Sequence, residues 1–198
     1  MLDISLITNE LQNISEIHIV SVKNECKEIL IKIEPGFEGE IKYFCVNFVG
    51  NDIKSSQFFE FSEHSESSEC SLFAPTIKRY LYEPNASLMK SGAFKLISQR
   101  FGIEKLHVNS HLYTSDNLIS DFPGRIFEVV GFASFNKKIK KELLNDITEA
   151  SIATRNFPLS ANDLRKILNL KESDKNFVFG TTLMGEKKVV ILAKKYRE

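Results

Sequence analysis

The sequence has no tryptophan, three cysteines, five prolines and nine glycines among 198 residues, and its formal net charge is zero. Each scarcity excludes something. Cys26, Cys45 and Cys70 are far apart and odd in number, which fits neither a disulfide framework nor a CxxC metal knuckle, so reduced thiols and a cytoplasmic location are expected. Long apolar runs are missing as well. Val189–Ala193 falls far short of the roughly 20 residues that a spanning helix needs. The opening Met1-Leu2-Asp3 lacks the basic and apolar regions of a signal peptide, so neither export nor a membrane partner is expected. The few glycines form no GxGxxG and no Walker loop, and GxSxG and HExxH are absent too. With no nucleophile beside a base, no paired carboxylates and no metal-ligand spacing, the inventory assigns no catalytic residue and no metal ligand.

What is present suits a globular chain: 42% hydrophobic and 26% charged side chains, with 16 phenylalanines. That length and composition support one large or two small domains. The zero net charge hides a polarity. Residues 1–134 carry 12 Lys and Arg against 18 Asp and Glu, a balance of −6; residues 135–198 carry 14 against 8, a balance of +6. A basic end of this kind serves an anionic partner, or lets the two ends of the molecule attract each other.

The chain is organised around Lys78–Gly102. Tyr80-Leu81-Tyr82 reads as a strand, Asn85 as a helix cap, and apolar residues from Leu88 to Ile97 as a buried helix that Gly102 stops. Before it, residues 3–14 have helical spacing and Ile17–Val22 with Glu28–Ile33 read as a hairpin turning near Lys23-Asn24-Glu25. Ile41–Val49 and Gln57–Phe61 add two strands. Ser62–Ser71, rich in serine and glutamate, reads as an exposed linker. This boundary places Lys78–Gly102 in the second domain.

Beyond the central helix, Leu106–Thr114 reads as a strand or extended loop. His107 and His111 on a strand would lie roughly 13 Å apart, too far to share an ion. Arg125–Phe135 is a long strand. Asn136–Ile147 has helical periodicity, with Lys137, Lys138, Lys140 and Lys141 crowding its first turn and a half. Cations there oppose the helix dipole, so they form either a solvated face or a contact for phosphate. Ser151–Asn156 is a short strand. Ser160 and Asp163 form a capping box for a helix over Ala161–Leu170 that buries Leu164, Ile167 and Leu168. Asn176–Leu183 and Lys187–Lys195 close the chain as a hairpin through Gly185-Glu186. The succession predicts a mixed sheet with packed helices.

Four stretches carry a resemblance: YLYEPNASLMKSGAFKLISQRFG (80–102), LHVNSHLYTSD (106–116), DFPGRIFEVV (121–130) and RNFPLSANDLRKILNL (155–170). They resemble the C-terminal region of bacterial class I S-adenosylmethionine-dependent methyltransferase-like proteins. The resemblance implies an α+β / α/β fold, with a ferredoxin-like α+β domain in residues 1–70 (linker 62–71) and a THUMP-like mixed-sheet domain in 72–198. In that family the methyltransferase domain precedes both regions and carries the glycine-rich cofactor loop, which this sequence lacks. S-adenosylmethionine is therefore implied for an N-terminal domain outside it, and no cofactor for this chain. Glu83-Pro84-Asn85 lacks the second proline and the aromatic of the Asn-Pro-Pro-aromatic motif that holds a target amine, so it reads as strand exit and helix cap. By the same resemblance the partners are structured RNA, commonly tRNA, and a methyltransferase domain in cis or trans. Charge clustering then nominates Lys137, Lys138, Lys140, Lys141, Arg155, Arg165 and Lys166 for phosphate contact. The alternative function is a docking scaffold, for a methyltransferase domain or as a homodimer.

Overall fold

The computed structural model describes residues 3–50 and 55–196. Packing divides the chain into two units, one of residues up to Ser71 with Pro84–Arg100, the other of Leu72–Glu83 with Phe101 onward. The chain crosses between them three times rather than once. The central segment is therefore shared: its strand belongs mainly to the second unit, and its helical part mainly to the first.

In the first unit, α1 (Ile4–Glu10) is capped by Asp3, whose carboxylate accepts the Ser5 N–H. It leads into β1 (Ile14–Val22) and β2 (Glu25–Ile33), an antiparallel hairpin pairing Val22 with Glu25. Lys23 and Asn24 have φ of 50° and 63°, as a two-residue turn matched to strand twist requires. With β3 (Lys42–Phe48), parallel to β1, and β4 (Gln57–Ser62), the sheet order is β2-β1-β3-β4. Strand alternation sends Ile17, Ile19, Tyr43, Cys45, Phe59 and Phe61 to the buried face, where the Tyr43 and Phe61 rings stack at 4.7 Å.

Ser62–Ser71, expected as a linker, instead contains α2 (Glu63–Ser68), capped by the Ser62 hydroxyl. The helix buries no residue, so the polar composition foretold exposure correctly but not helicity. Its Glu66 carboxylate accepts the N–H groups of Lys95 and Leu96 at 2.9 and 2.8 Å. Those are otherwise orphan donors in the first turn of α4 (Phe94–Phe101). The single helix expected up to Gly102 is broken in two. α3 (Ala86–Ser91), capped by Asn85 through the Leu88 N–H, ends at Gly92 with φ 82°, a left-handed stop that glycine adopts without strain.

The second unit has a seven-stranded mixed sheet. Its order is β6 (Glu104–Lys105), β7 (Tyr113–Ser115), β5 (Tyr80–Pro84), β8 (Gly124–Ser134), β11 (Lys187–Lys195), β10 (Phe177–Leu183) and β9 (Ser151–Arg155). On one face, α5 (Ile139–Leu143) and α6 (Ala161–Leu168) bury Ile139, Leu164 and Leu168 against Ile152, Val178, Val190 and Leu192. On the other, Leu81, Phe127, Phe177, Phe179 and Ile191 pack with Leu106 and Leu112 from the segment between β6 and β7. Ser160 caps α6 as the sequence implies: its Oγ accepts the Asp163 N–H at 3.1 Å and donates to the Asp163 carboxylate at 2.6 Å.

Two expectations in this unit need correction. Ile167, expected in the core, is 57% exposed, because α6 presents only Leu164 and Leu168 to the sheet. The helix read over Asn136–Ile147 shrinks to five residues with no side-chain cap. Lys140 and Lys141 consequently lie in its last turn, where cations suit the dipole. Lys138 stands at the N-cap position itself, so the opposition to the dipole is confined to that end of a single short turn.

Candidate nucleic-acid interface

β5 is buried at every residue. Alternation along it puts Leu81 and Glu83 on one face: Leu81 enters the apolar core, and Glu83, 1% exposed, brings a carboxylate to that face. An isolated buried carboxylate would be costly, but two guanidiniums meet this one. Arg125 on β8 donates from Nε to Glu83 Oε2 at 2.8 Å and also from Nη2 to the same oxygen. Arg155, the last residue of β9, donates from Nη2 to Glu83 Oε1 at 2.6 Å and from Nη1 to the Thr154 carbonyl at 3.0 Å. Both arginine side chains keep about a third of their surface exposed, 32% and 36%, against 2% for Glu83. The carboxylate is thus the buried hinge of an arginine pair that reaches solvent. Gly124 lets β8 approach: a Cβ there would stand 2.2 Å from the Glu83 carbonyl oxygen.

Further polar groups surround this cluster. The Lys105 side chain is buried and donates Nζ to the Val108 carbonyl at 2.7 Å. Burial, followed by the charges of Lys105 and Arg155, pushes the His111 imidazole down to about 4, so it is neutral at pH 7. His107 Nδ1 accepts from Asn109 N and Asn156 Nδ2 at 3.1 and 3.0 Å, which leaves Nε2 to donate to Glu186 Oε1 at 3.0 Å. The Glu186 carboxyl is held below its ordinary value by hydrogen bonds, first from Lys188 and then from His107. Both histidines lie between β6 and β7, off any strand, so strand spacing does not describe their separation. Among the described residues no group of three His, Cys, Asp or Glu is placed to hold a metal ion. Beside Asn156 an open cleft of about 440 Å³ is lined by Thr154, Asn156, Phe157, Pro158 and Lys188.

The seven nominated cations separate into two groups. Three are engaged within the protein: Arg155 with Glu83, Lys140 with the Leu168 and Asn169 carbonyls at the end of α6, and Arg165 with the Ala150 carbonyl and the Glu172 carboxylate. Lys137, Lys138, Lys141 and Lys166 are exposed. The sequence nominates neither Glu83 nor Arg125 for a site: the one reads as part of a strand exit, the other as the first residue of a strand. A charged residue inside the apolar strand run YLYEP, and an arginine opening the next long strand, were the available signals.

The ferredoxin-like domain family matches residues 80–123, and the THUMP-like domain family matches residues 124–195. The ferredoxin-like match thus falls on β5, α3, α4, β6 and β7 rather than on residues 1–70. No curated protein matches the chain. Among solved structures, one described as "putative methyltransferase from Porphyromonas gingivalis W83" matches with a TM-score of 0.89 and 33% identity, over 100% of this chain and 49% of that one. The chain therefore spans about half the length of that relative. Among the described residues no helix is long and apolar enough to cross a membrane. The chain is thus a mixed α+β fold that includes a ferredoxin-like domain followed by a THUMP-like domain.

Proposed function

We propose that the chain is the non-catalytic substrate-recognition region of an S-adenosylmethionine-dependent RNA methyltransferase, and that it binds structured RNA such as tRNA. The observation that carries this reading is a coincidence of position: the THUMP-like match over 124–195 falls on the basic part of the chain, +6 over residues 135–198. Its exposed Lys137, Lys138, Lys141 and Lys166 supply cations for phosphates without breaking an internal contact. The half-length likeness to a protein described as a methyltransferase supports a division of labour. In this reading methyl transfer and the cofactor belong to a separate methyltransferase domain, in cis or in trans. Recognition is electrostatic and shape-based, since A-form RNA offers side chains its phosphates and shallow minor groove more readily than its base edges.

The test is tRNA binding by the wild type and by a Lys137/Lys138/Lys141/Lys166→Ala variant. Four phosphate contacts predict an affinity loss of roughly a hundredfold between 50 and 200 mM salt, and a much flatter salt dependence in the variant. Equal binding by both proteins, insensitive to salt, would overturn the reading and leave docking of a methyltransferase domain as the function of these surfaces.

A further inference from the structure

Glu83 carries one negative charge and is met by two arginines, so the cluster retains a net positive charge. Several donors in it are unused. Arg125 spends Nε and Nη2 on Glu83 and keeps about a third of its side chain exposed. Arg155 Nε is shut from solvent and finds no hydrogen-bond partner, and the same holds for Thr181 Oγ1. Those two residues are register partners in the parallel pair of β9 and β10. They also share a face: Ala153, two residues before Arg155, packs against the same core as Phe179, two residues before Thr181. Unsatisfied donors side by side, on and beside arginines about a third exposed, call for an acceptor that brings negative charge.

We propose that Arg125 and Arg155, oriented by the buried carboxylate of Glu83, form a phosphate-binding subsite. A planar guanidinium matches phosphate oxygens with paired donors, and a guanidinium already fixed by a buried carboxylate loses little further freedom on binding. Glu83 is a positioning residue that touches the arginines and not the ligand. The low basicity of His111, set first by burial, is lowered further by the charges of Lys105 and Arg155, which puts the Arg155 charge within reach of its ring. The phosphate group comes either from RNA, in which case the subsite deepens the proposed function and rests on it, or from a small phosphorylated molecule.

The experiment follows the arginine Nε–Hε resonances of the whole chain by NMR during titration with inorganic phosphate, against sodium chloride at matched ionic strength. Saturable shifts of Arg125 and Arg155 in phosphate alone are expected, with binding at least about tenfold weaker in R125K and R155K. Wild-type resonances that respond equally to phosphate and chloride would overturn the subsite, whether or not the variants fold. Undiminished phosphate affinity in folded R125K and R155K would overturn it as well. A second titration uses tRNA. If tRNA moves the same resonances and inorganic phosphate competes, RNA is the source; if phosphate saturates and tRNA has no effect on them, the source is a small molecule. Loss of tRNA binding in the four-lysine variant, with no arginine response to phosphate, would remove the subsite and keep RNA recognition. A saturable phosphate response without any tRNA binding would do the reverse.

Discussion

Arg155 Nη2 stands 2.6 Å from Glu83 Oε1, joining the end of β9 to a strand residue 72 positions earlier. Glu83 is nearly inaccessible while Arg155 remains about a third exposed. The pair is therefore asymmetric: losing the carboxylate and losing the guanidinium have different consequences.

Glu83→Gln keeps the shape and removes the charge. The two guanidiniums can then turn toward water, so the loss falls below the roughly 3–5 kcal/mol typical of a wholly buried pair, at about 2–3 kcal/mol. Chemical denaturation measures it. A loss under about 0.5 kcal/mol would show that Glu83 does not anchor the arginines.

His111 gives the fold a pH dependence. Its pKa falls from 6.5 to about 4 on folding, so between these values the unfolded chain binds a proton that the folded chain refuses. Stability is full above about pH 6.5 and declines as the pH falls toward 4, by about 2–3 kcal/mol over the window. His111 has a φ of 51°, which asparagine tolerates well. His111→Asn should remove this slope from a series of denaturation curves between pH 4 and 7, and an unchanged slope would assign it to other groups.

Gly124→Ala is expected to destabilise by about 1–3 kcal/mol or more. The added Cβ meets the Glu83 carbonyl oxygen at 2.2 Å and the Phe122 ring at 2.5 Å, and backbone cannot move aside as a flexible side chain can. Because the displaced strand carries Glu83, the Arg125 Nε–Hε resonance should shift in the same variant. A melting temperature equal to that of the wild type would contradict the close approach.

Leu164 and Ile167 lie one turn apart on α6 and should respond very differently to truncation. Leu164→Ala opens a cavity in a fully buried site and should cost about 2–5 kcal/mol; Ile167→Ala, at an exposed site, should cost about 0.5 kcal/mol or less. Equal losses in urea denaturation would mean that Ile167 is covered in solution.

The exposed lysines and the arginines held by buried Glu83 differ in how visible they were in the sequence. Lys137, Lys138 and Lys141 form a local run, and a charge run is visible wherever it occurs. That Lys140, within the same run, closes the end of α6 depends on the packing of α5 and α6 against one sheet face. Composition could not separate it from its neighbours. The same holds for Arg165, which reads as a free helical cation and is drawn to Ala150 and Glu172.

The sequence alone determined the features set by a few adjacent residues: a turn near Lys23-Asn24-Glu25, the caps at Asn85 and Ser160, the long β8 and the closing hairpin. Each follows from backbone sterics, a short hydrogen bond or a period of two, and these need no distant partner. Tertiary structure alone decided that the central segment serves both packing units, that Ile167 faces solvent and that Glu83 holds Arg125 and Arg155. Strand order and helix packing bring those residues together or apart across 42 and 72 positions, over which local periodicity carries no information.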